Sequence, residues 1–141
     1  MPGFWDASAI VPLCVPIENP AQGRRLLRQH ALVVWWGTHV EVVSAVCRLK
    51  RERVLSEEQY AAAGRRIQTL RSSWREIQPT SRLRDLAEAC LERHELCAAD
   101  ALQLAAALVW CHEKPRNRAF LCRDARLAKA ARGEGFAMIE L

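Results

Sequence analysis

The chain of 141 residues has little that would carry it into a membrane or staple it from outside. Its longest apolar region, Ala98 to Cys111, is interrupted by Asp100 and Gln103. That region is also too short to cross a bilayer, which takes about 20 apolar residues. Met1 to Gly3 carries no basic segment ahead of an apolar stretch, so no signal peptide is expected. The six cysteines (Cys14, Cys47, Cys90, Cys97, Cys111 and Cys122) include no C-x-x-C pair, and their spacing is irregular. Most lie in apolar patterns, where cysteine behaves as a small hydrophobe. A zinc site drawn from Cys90, His94, Cys97, Cys111 and His112 matches no usual ligand spacing. A reduced cytoplasmic protein is the expectation. Repeats, low-complexity tracts and long linkers are also missing, so residues 1–141 read as a single domain.

What is present points to a packed core with a basic surface. Half of the residues are hydrophobic and 26% are charged, a balance that disfavours disorder. The formal charge of +5 fits a polyanionic partner, because each Lys or Arg placed on a phosphate releases counterions. Ordinary soluble proteins are often as basic, so charge alone does not choose between the two.

Short apolar runs alternate with helical patterns. Phe4-Trp5, Leu32 to Trp36, Arg118 to Cys122 and Phe136 to Leu141 read as strands, with a weaker one at Arg75 to Gln78. Runs without polar alternation suit strands buried on both faces, as in parallel sheets. Thr38 opens a helix with Val42, Ala45, Val46 and Leu49 on one face, and Ser56 with Gln59 forms a capping box for the next. Leu83, Leu86, Ala87, Cys90 and Leu91 mark a third helix after Pro79. Ala98 to His112 is apolar nearly all round and should be central, and Leu127 to Arg132 closes the series. The expected fold is a three-layer α/β/α domain around a parallel sheet, its strand order not readable from periodicity.

In such sheets ligands bind beyond the carboxyl ends of the strands. Asp6 and Asp124 each end a strand, and Glu41 lies in the first turn of the helix after Leu32 to Trp36. Asp100 joins them if the buried helix starts at the same edge. Each acid also has a structural reading. Asp6 and Asp124 can cap helices, Thr38-x-x-Glu41 can be a capping box, and Asp100 can favour a helix N-terminus. Asp100 fits that reading least well, because its apolar neighbours predict burial, where a lone carboxylate is costly. Clustered carboxylates raise one another's pKa unless a cation neutralises them, and an all-oxygen set suits Mg²⁺ or Mn²⁺.

The segments Phe4-Trp5-Asp6-Ala7-Ser8-Ala9, Glu41-Val42-Val43-Ser44-Ala45, Ala98-Ala99-Asp100-Ala101-Leu102-Gln103-Leu104-Ala105 and Phe120-Leu121-Cys122-Arg123-Asp124-Ala125-Arg126-Leu127 resemble, in order, the motifs of PIN-domain ribonucleases. The likeness is greatest to VapC-type toxins of bacterial toxin–antitoxin pairs and covers essentially the whole chain. The resemblance implies a parallel sheet with Asp6, Glu41, Asp100 and Asp124 around Mg²⁺ or Mn²⁺, and Ser8 as an accessory polar group. It further implies hydrolysis of RNA phosphodiester bonds by a homodimer restrained by a small cognate antitoxin. Two positions depart from the pattern. Ala125 stands where many relatives carry an acid, which bears on a second metal, and Gln103 stands where many carry His, which should matter little.

No histidine has the spacing of a general base, and no serine lies in a nucleophile motif. A haloacid-type phosphatase also begins with a strand-end aspartate but needs a second one two residues on, where this chain has Ser8. Two further readings stand beside the toxin: a non-catalytic PIN-like binding protein, and an RNA-processing PIN nuclease without an antitoxin. On the surface, Arg24, Arg25 and Arg28 share a helical face, Arg65 and Arg66 lie on another, and Arg48, Lys50, Arg51 and Arg53 form a denser run. These are either solvated faces or a phosphate track. Trp35, Trp36, Trp74 and Trp110 are candidates for core or interface, and Trp36 is also placed to stack a base.

Overall fold

The computed structural model describes residues 1–16 and 19–141. Its five strands are β1 (Pro2–Trp5), β2 (Ala31–Trp35), β3 (Arg75–Ile77), β4 (Ala119–Cys122) and β5 (Ala137–Glu140). Seven helices connect them: α1 (Ala7–Cys14), α2 (Pro20–Gln29), α3 (Thr38–Arg51), α4 (Glu57–Arg71), α5 (Ser81–Arg93), α6 (Ala98–Trp110) and α7 (Ala125–Glu134). All strands pair in parallel, in the order β3-β2-β1-β4-β5. The expected three-layer α/β/α architecture is the one observed.

Residue-by-residue alternation distributes the strand side chains between two cores. Phe4, Val33, Trp35, Phe120 and Cys122 pack with α5, α6 and α7. Trp5, Leu32, Val34 and Leu121 point the other way, into a core shared with α1 to α4. Both faces are covered, which is why these strands carry no polar alternation.

The α6 helix is the most deeply buried, with Ala101, Leu104, Ala105, Ala106 and Ala107 fully enclosed. It runs down toward the start of β4, so that Trp110 at its far end lies near Phe4, with ring centroids 6.5 Å apart, and under the guanidinium of Arg118. Its first turn, and with it Asp100, therefore stands at the opposite edge, where the strands end. The Ser56–Gln59 capping box is formed in full at the start of α4. The one at Thr38 is not. Gly37 occupies the N-cap of α3, and Thr38 is already helical and buried. A Cβ on Gly37 would stand 2.5 Å from the indole nitrogen of Trp35, so the turn from β2 into α3 has no room for a side chain.

Candidate active site

The strand order reverses direction between β1 and β4, and a crevice opens beyond their ends. Asp6 follows β1 and Asp124 follows β4, Glu41 comes from the first turn of α3, and Asp100 from the first turn of α6. All four acids line one cavity of about 360 Å³, together with Ser8 and the rim arginines Arg48 and Arg123. The four acids and Ser8 singled out in the sequence thus line one cavity.

Their local roles differ. Asp6 is the N-cap of α1 and only 4% exposed. Its Oδ2 accepts hydrogen bonds from the Ser8 N–H, at 3.0 Å, and from the Ser8 hydroxyl. The same hydroxyl oxygen accepts from the Arg123 N–H at 2.8 Å, so Ser8 joins the ends of β1 and β4 while orienting Asp6. Asp124 caps α7, its Oδ1 accepting from the Leu127 N–H at 2.9 Å, and remains exposed. Capping and pocket lining therefore coexist at both strand-end aspartates.

Glu41 forms no capping box. Its carboxylate accepts instead from Gln103 Nε2 at 3.1 Å, and the same nitrogen donates to Thr38 Oγ1 at 3.0 Å. Gln103 is fully buried, and its Oε1 has no protein partner. With Gln in place of His at this position, the amide ties α6 to Glu41. The sequence shows a glutamine inside an apolar helix but not which group across the crevice receives its N–H.

The electrostatics follow from crowding like charges in a half-closed crevice. Burial pushes the Asp6 carboxyl up, opposed by the Ser8 hydrogen bonds and reinforced by Asp100. Glu41 is pushed up to about 7, chiefly by burial, against the Gln103 bond and with Asp6 and Asp100 adding repulsion. Asp100 is also raised, first by burial and then by Asp124, with Arg126 opposing. The thiol of Cys122, beneath the site, is pushed up to about 12 by burial and by Asp6. A cation relieves all of these penalties together, and an all-oxygen donor set fits a hard divalent ion. Among the described residues no group of three or more His, Cys, Asp or Glu side chains stands close enough together to hold a metal ion as placed.

The remaining surface expectations resolve separately. Trp35 and Trp110 are core residues, Trp74 is half-buried and donates to Glu76 at 3.0 Å, and Trp36 is 52% exposed. Lys50 pairs with Glu57 at 3.5 Å and lies over the Tyr60 ring, while Arg48 reaches the acidic cavity. Arg24, Arg25 and Arg28 are exposed on α2. Cys90 and Cys111 are buried, Cys97 is exposed, and His94 is engaged with Glu134 at 2.7 Å. No helix among the described residues is long and apolar enough to cross a membrane.

A doubly covered parallel sheet in the order β3-β2-β1-β4-β5, with an acidic crevice at its reversal, is consistent with a three-layer PIN-like fold. No protein-family model matches the chain, and no curated protein matches it in sequence. Solved structures do match. PAE2754 from Pyrobaculum aerophilum has a TM-score of 0.66 at 20% identity, over 98% of this chain and 89% of its own. The VapC20 toxin of Mycobacterium tuberculosis, described as cleaving the sarcin–ricin loop, has a TM-score of 0.66 at 18% identity over 98% of both chains. A chain of a toxin–antitoxin complex from Klebsiella pneumoniae has 0.63 at 15% identity over 88% of both. At these identities the fold is what is shared.

Proposed function

We propose that this protein is a metal-dependent endoribonuclease that hydrolyses RNA phosphodiester bonds as the toxin of a toxin–antitoxin pair. The observation that carries the proposal is the convergence of Asp6, Glu41, Asp100 and Asp124, from four separate segments, on one crevice. Asp6 and Asp100, with either Glu41 or Asp124, would hold Mg²⁺ or Mn²⁺. When bound, the ion supplies Lewis-acid polarisation of a phosphoryl oxygen and makes a water more acidic. Ser8 fixes the Asp6 carboxylate, and Gln103 fixes that of Glu41. Arg48 and Arg123 at the rim attract and orient the phosphate.

The likeness to a toxin and to a member of a toxin–antitoxin complex supports a small antitoxin as partner and RNA as substrate. Trp36, Val40 and Val43, close in sequence at the start of α3, are exposed, and exposed apolar side chains there suit a protein partner or a second copy in a homodimer. The setting proposed is the cytoplasm, where RNA and antitoxin would both be met.

The test is cleavage of a labelled RNA by purified protein with Mn²⁺, with EDTA, and by Asp6→Asn. Cleavage with Mn²⁺ alone, lowered by orders of magnitude in the variant, is expected. RNA left intact by soluble wild-type protein under every metal condition would leave the non-catalytic reading.

A further inference from the structure

A second cavity, of about 420 Å³, lies between α1 and α2. Its walls include Pro12 and Leu13 of α1, Asn19 and Gln22 at the start of α2, Arg123 and Leu141. It shares Pro12 and Arg123 with the acidic crevice, so the two spaces adjoin across the end of β4. On the other side, Asn19 and Gln22 also line a depression that holds Arg25 and Arg28. Together these form a track leading from the acids, past Arg123 and the cavity, to the arginines of α2.

The chemistry along the track is graded. The carboxamides of Asn19 and Gln22 each offer a donor and an acceptor, the pair needed to read a base edge. Pro12, Leu13 and Leu141 supply apolar walls for the faces of a flat ring. The volume lies in the range of small-molecule sites, roughly 300–1,000 Å³. Gly23 allows α2 to close against α1, since a Cβ there would meet Leu13 at 2.7 Å. Among the described residues no carboxylate lies within ion-pair distance of Arg25, Arg28 or Arg123. Three arginines spaced along one track favour a polyanion as occupant.

We infer that the α1–α2 cavity is a nucleobase subsite for single-stranded RNA. One base beside the phosphate at the acidic crevice turns into it, and the backbone continues past Arg123 to Arg25 and Arg28. The inference rests on the nuclease reading, and it narrows the substrate to RNA whose bases are unpaired, because a duplex keeps its base edges and faces occupied.

Photocrosslinking tests this directly. Short single-stranded RNA carrying 4-thiouridine is irradiated with the full chain in EDTA, where no cleavage occurs, and the crosslinked peptides are mapped. Crosslinks are expected in α1 at Pro12–Leu13 or in 19–23 of α2. Gln22→Trp, which fills the cavity from an exposed position, should weaken RNA binding about tenfold. Replacing Arg25 and Arg28 by Ala should flatten the salt dependence by about 0.7 per residue. With Mn²⁺ and a randomised RNA pool, Gln22→Ala should erase a base preference at one position beside the cut. Crosslinks confined elsewhere, or RNA binding unchanged by Gln22→Trp, overturn the subsite and leave the cavity to a protein partner. Cleavage that continues with unaltered preference in Gln22→Ala overturns the subsite alone. RNA crosslinked in the cavity but never cut with Mn²⁺ overturns the nuclease reading and leaves the subsite standing.

Discussion

Two clusters of charge in this protein treat carboxylates in opposite ways. At the junction of α5 and α7, Glu134 accepts from Arg93 Nη2 at 2.9 Å and meets His94 Nε2 at 2.7 Å. Burial works against its charge, but the hydrogen bonds from Arg93 and His94 hold its pKa below the ordinary glutamate value. At the crevice, Glu41 has one neutral amide donor and two acidic neighbours, and it rises to about 7. The first cluster is complete within the chain and ties two helices together. The second is incomplete, and the fold maintains it at a cost in stability. Carboxylates with raised pKa values crowded in a crevice are a physical sign of a functional site, and the proposed metal site rests on them.

The comparison breaks most severely at Asp100. In Asp100→Asn, RNA cleavage should fall by orders of magnitude while the metal-free protein melts at the same temperature or higher, because one repulsive charge is gone. Millimolar Mn²⁺ should raise the melting temperature of the wild type and leave the variant's unchanged. A destabilised Asp100→Asn protein that still cuts RNA would reduce Asp100 to a residue favouring its helix terminus.

Gln103 sharpens the comparison at smaller scale. Gln103→Leu removes the donor to Glu41 together with the unpartnered Oε1. Mn²⁺ affinity measured by calorimetry should drop roughly tenfold or more, as when the partner of a ligating side chain is removed. Gln103→His, which restores a ring N–H, should recover part of it. Equal affinities in all three proteins would confine Gln103 to packing.

The smallest effect is in pH, and its sign separates the clusters. Glu41 binds its proton more tightly folded than unfolded, so its contribution to stability is present below about 4.5 and is lost as pH rises through about 7. Asp6 and Asp100 act in the same sense. Glu134 acts oppositely: its contribution is present above its ordinary value of 4.5 and is lost as pH falls through the lower folded value. Melting curves of metal-free protein should therefore show a decline of several degrees from pH 5 to 7.5, flattened in Glu41→Gln and retained in Glu134→Gln. A flat wild-type profile would mean that the crevice acids are already neutralised.

The layers and the acidic residues were legible in the sequence because both depend on local pattern. Strands buried on two faces lose polar alternation, as Leu32 to Trp35 and Phe120 to Cys122 do. The four acids stood in ordered motifs, and three of them beside strand ends. Strand order was hidden, since it depends on which crossover covers which face. The fate of Thr38 was hidden for a similar reason. Thr38-x-x-Glu41 has the form of a capping box, yet Gly37 caps the helix and Gln103, 65 positions from Thr38, takes both side chains. Local rules yield where a distant buried amide competes for the same oxygens. The α1–α2 cavity left no trace either, because its carboxamides acquire meaning only when Arg123 and Leu141 arrive from the other end of the chain.

The tight turn at Gly37 bears on how this sequence can drift over generations. The indole of Trp35 fills the space where any side chain at 37 would go, and that ring is itself enclosed. A larger residue must displace either the ring or the first turn of α3, and that turn carries Glu41. Position 37 touches neither RNA nor metal in any scheme considered above. In a survey of tolerated substitutions it should nonetheless rank with the acids, as a silent partner whose only contribution is to take up no room.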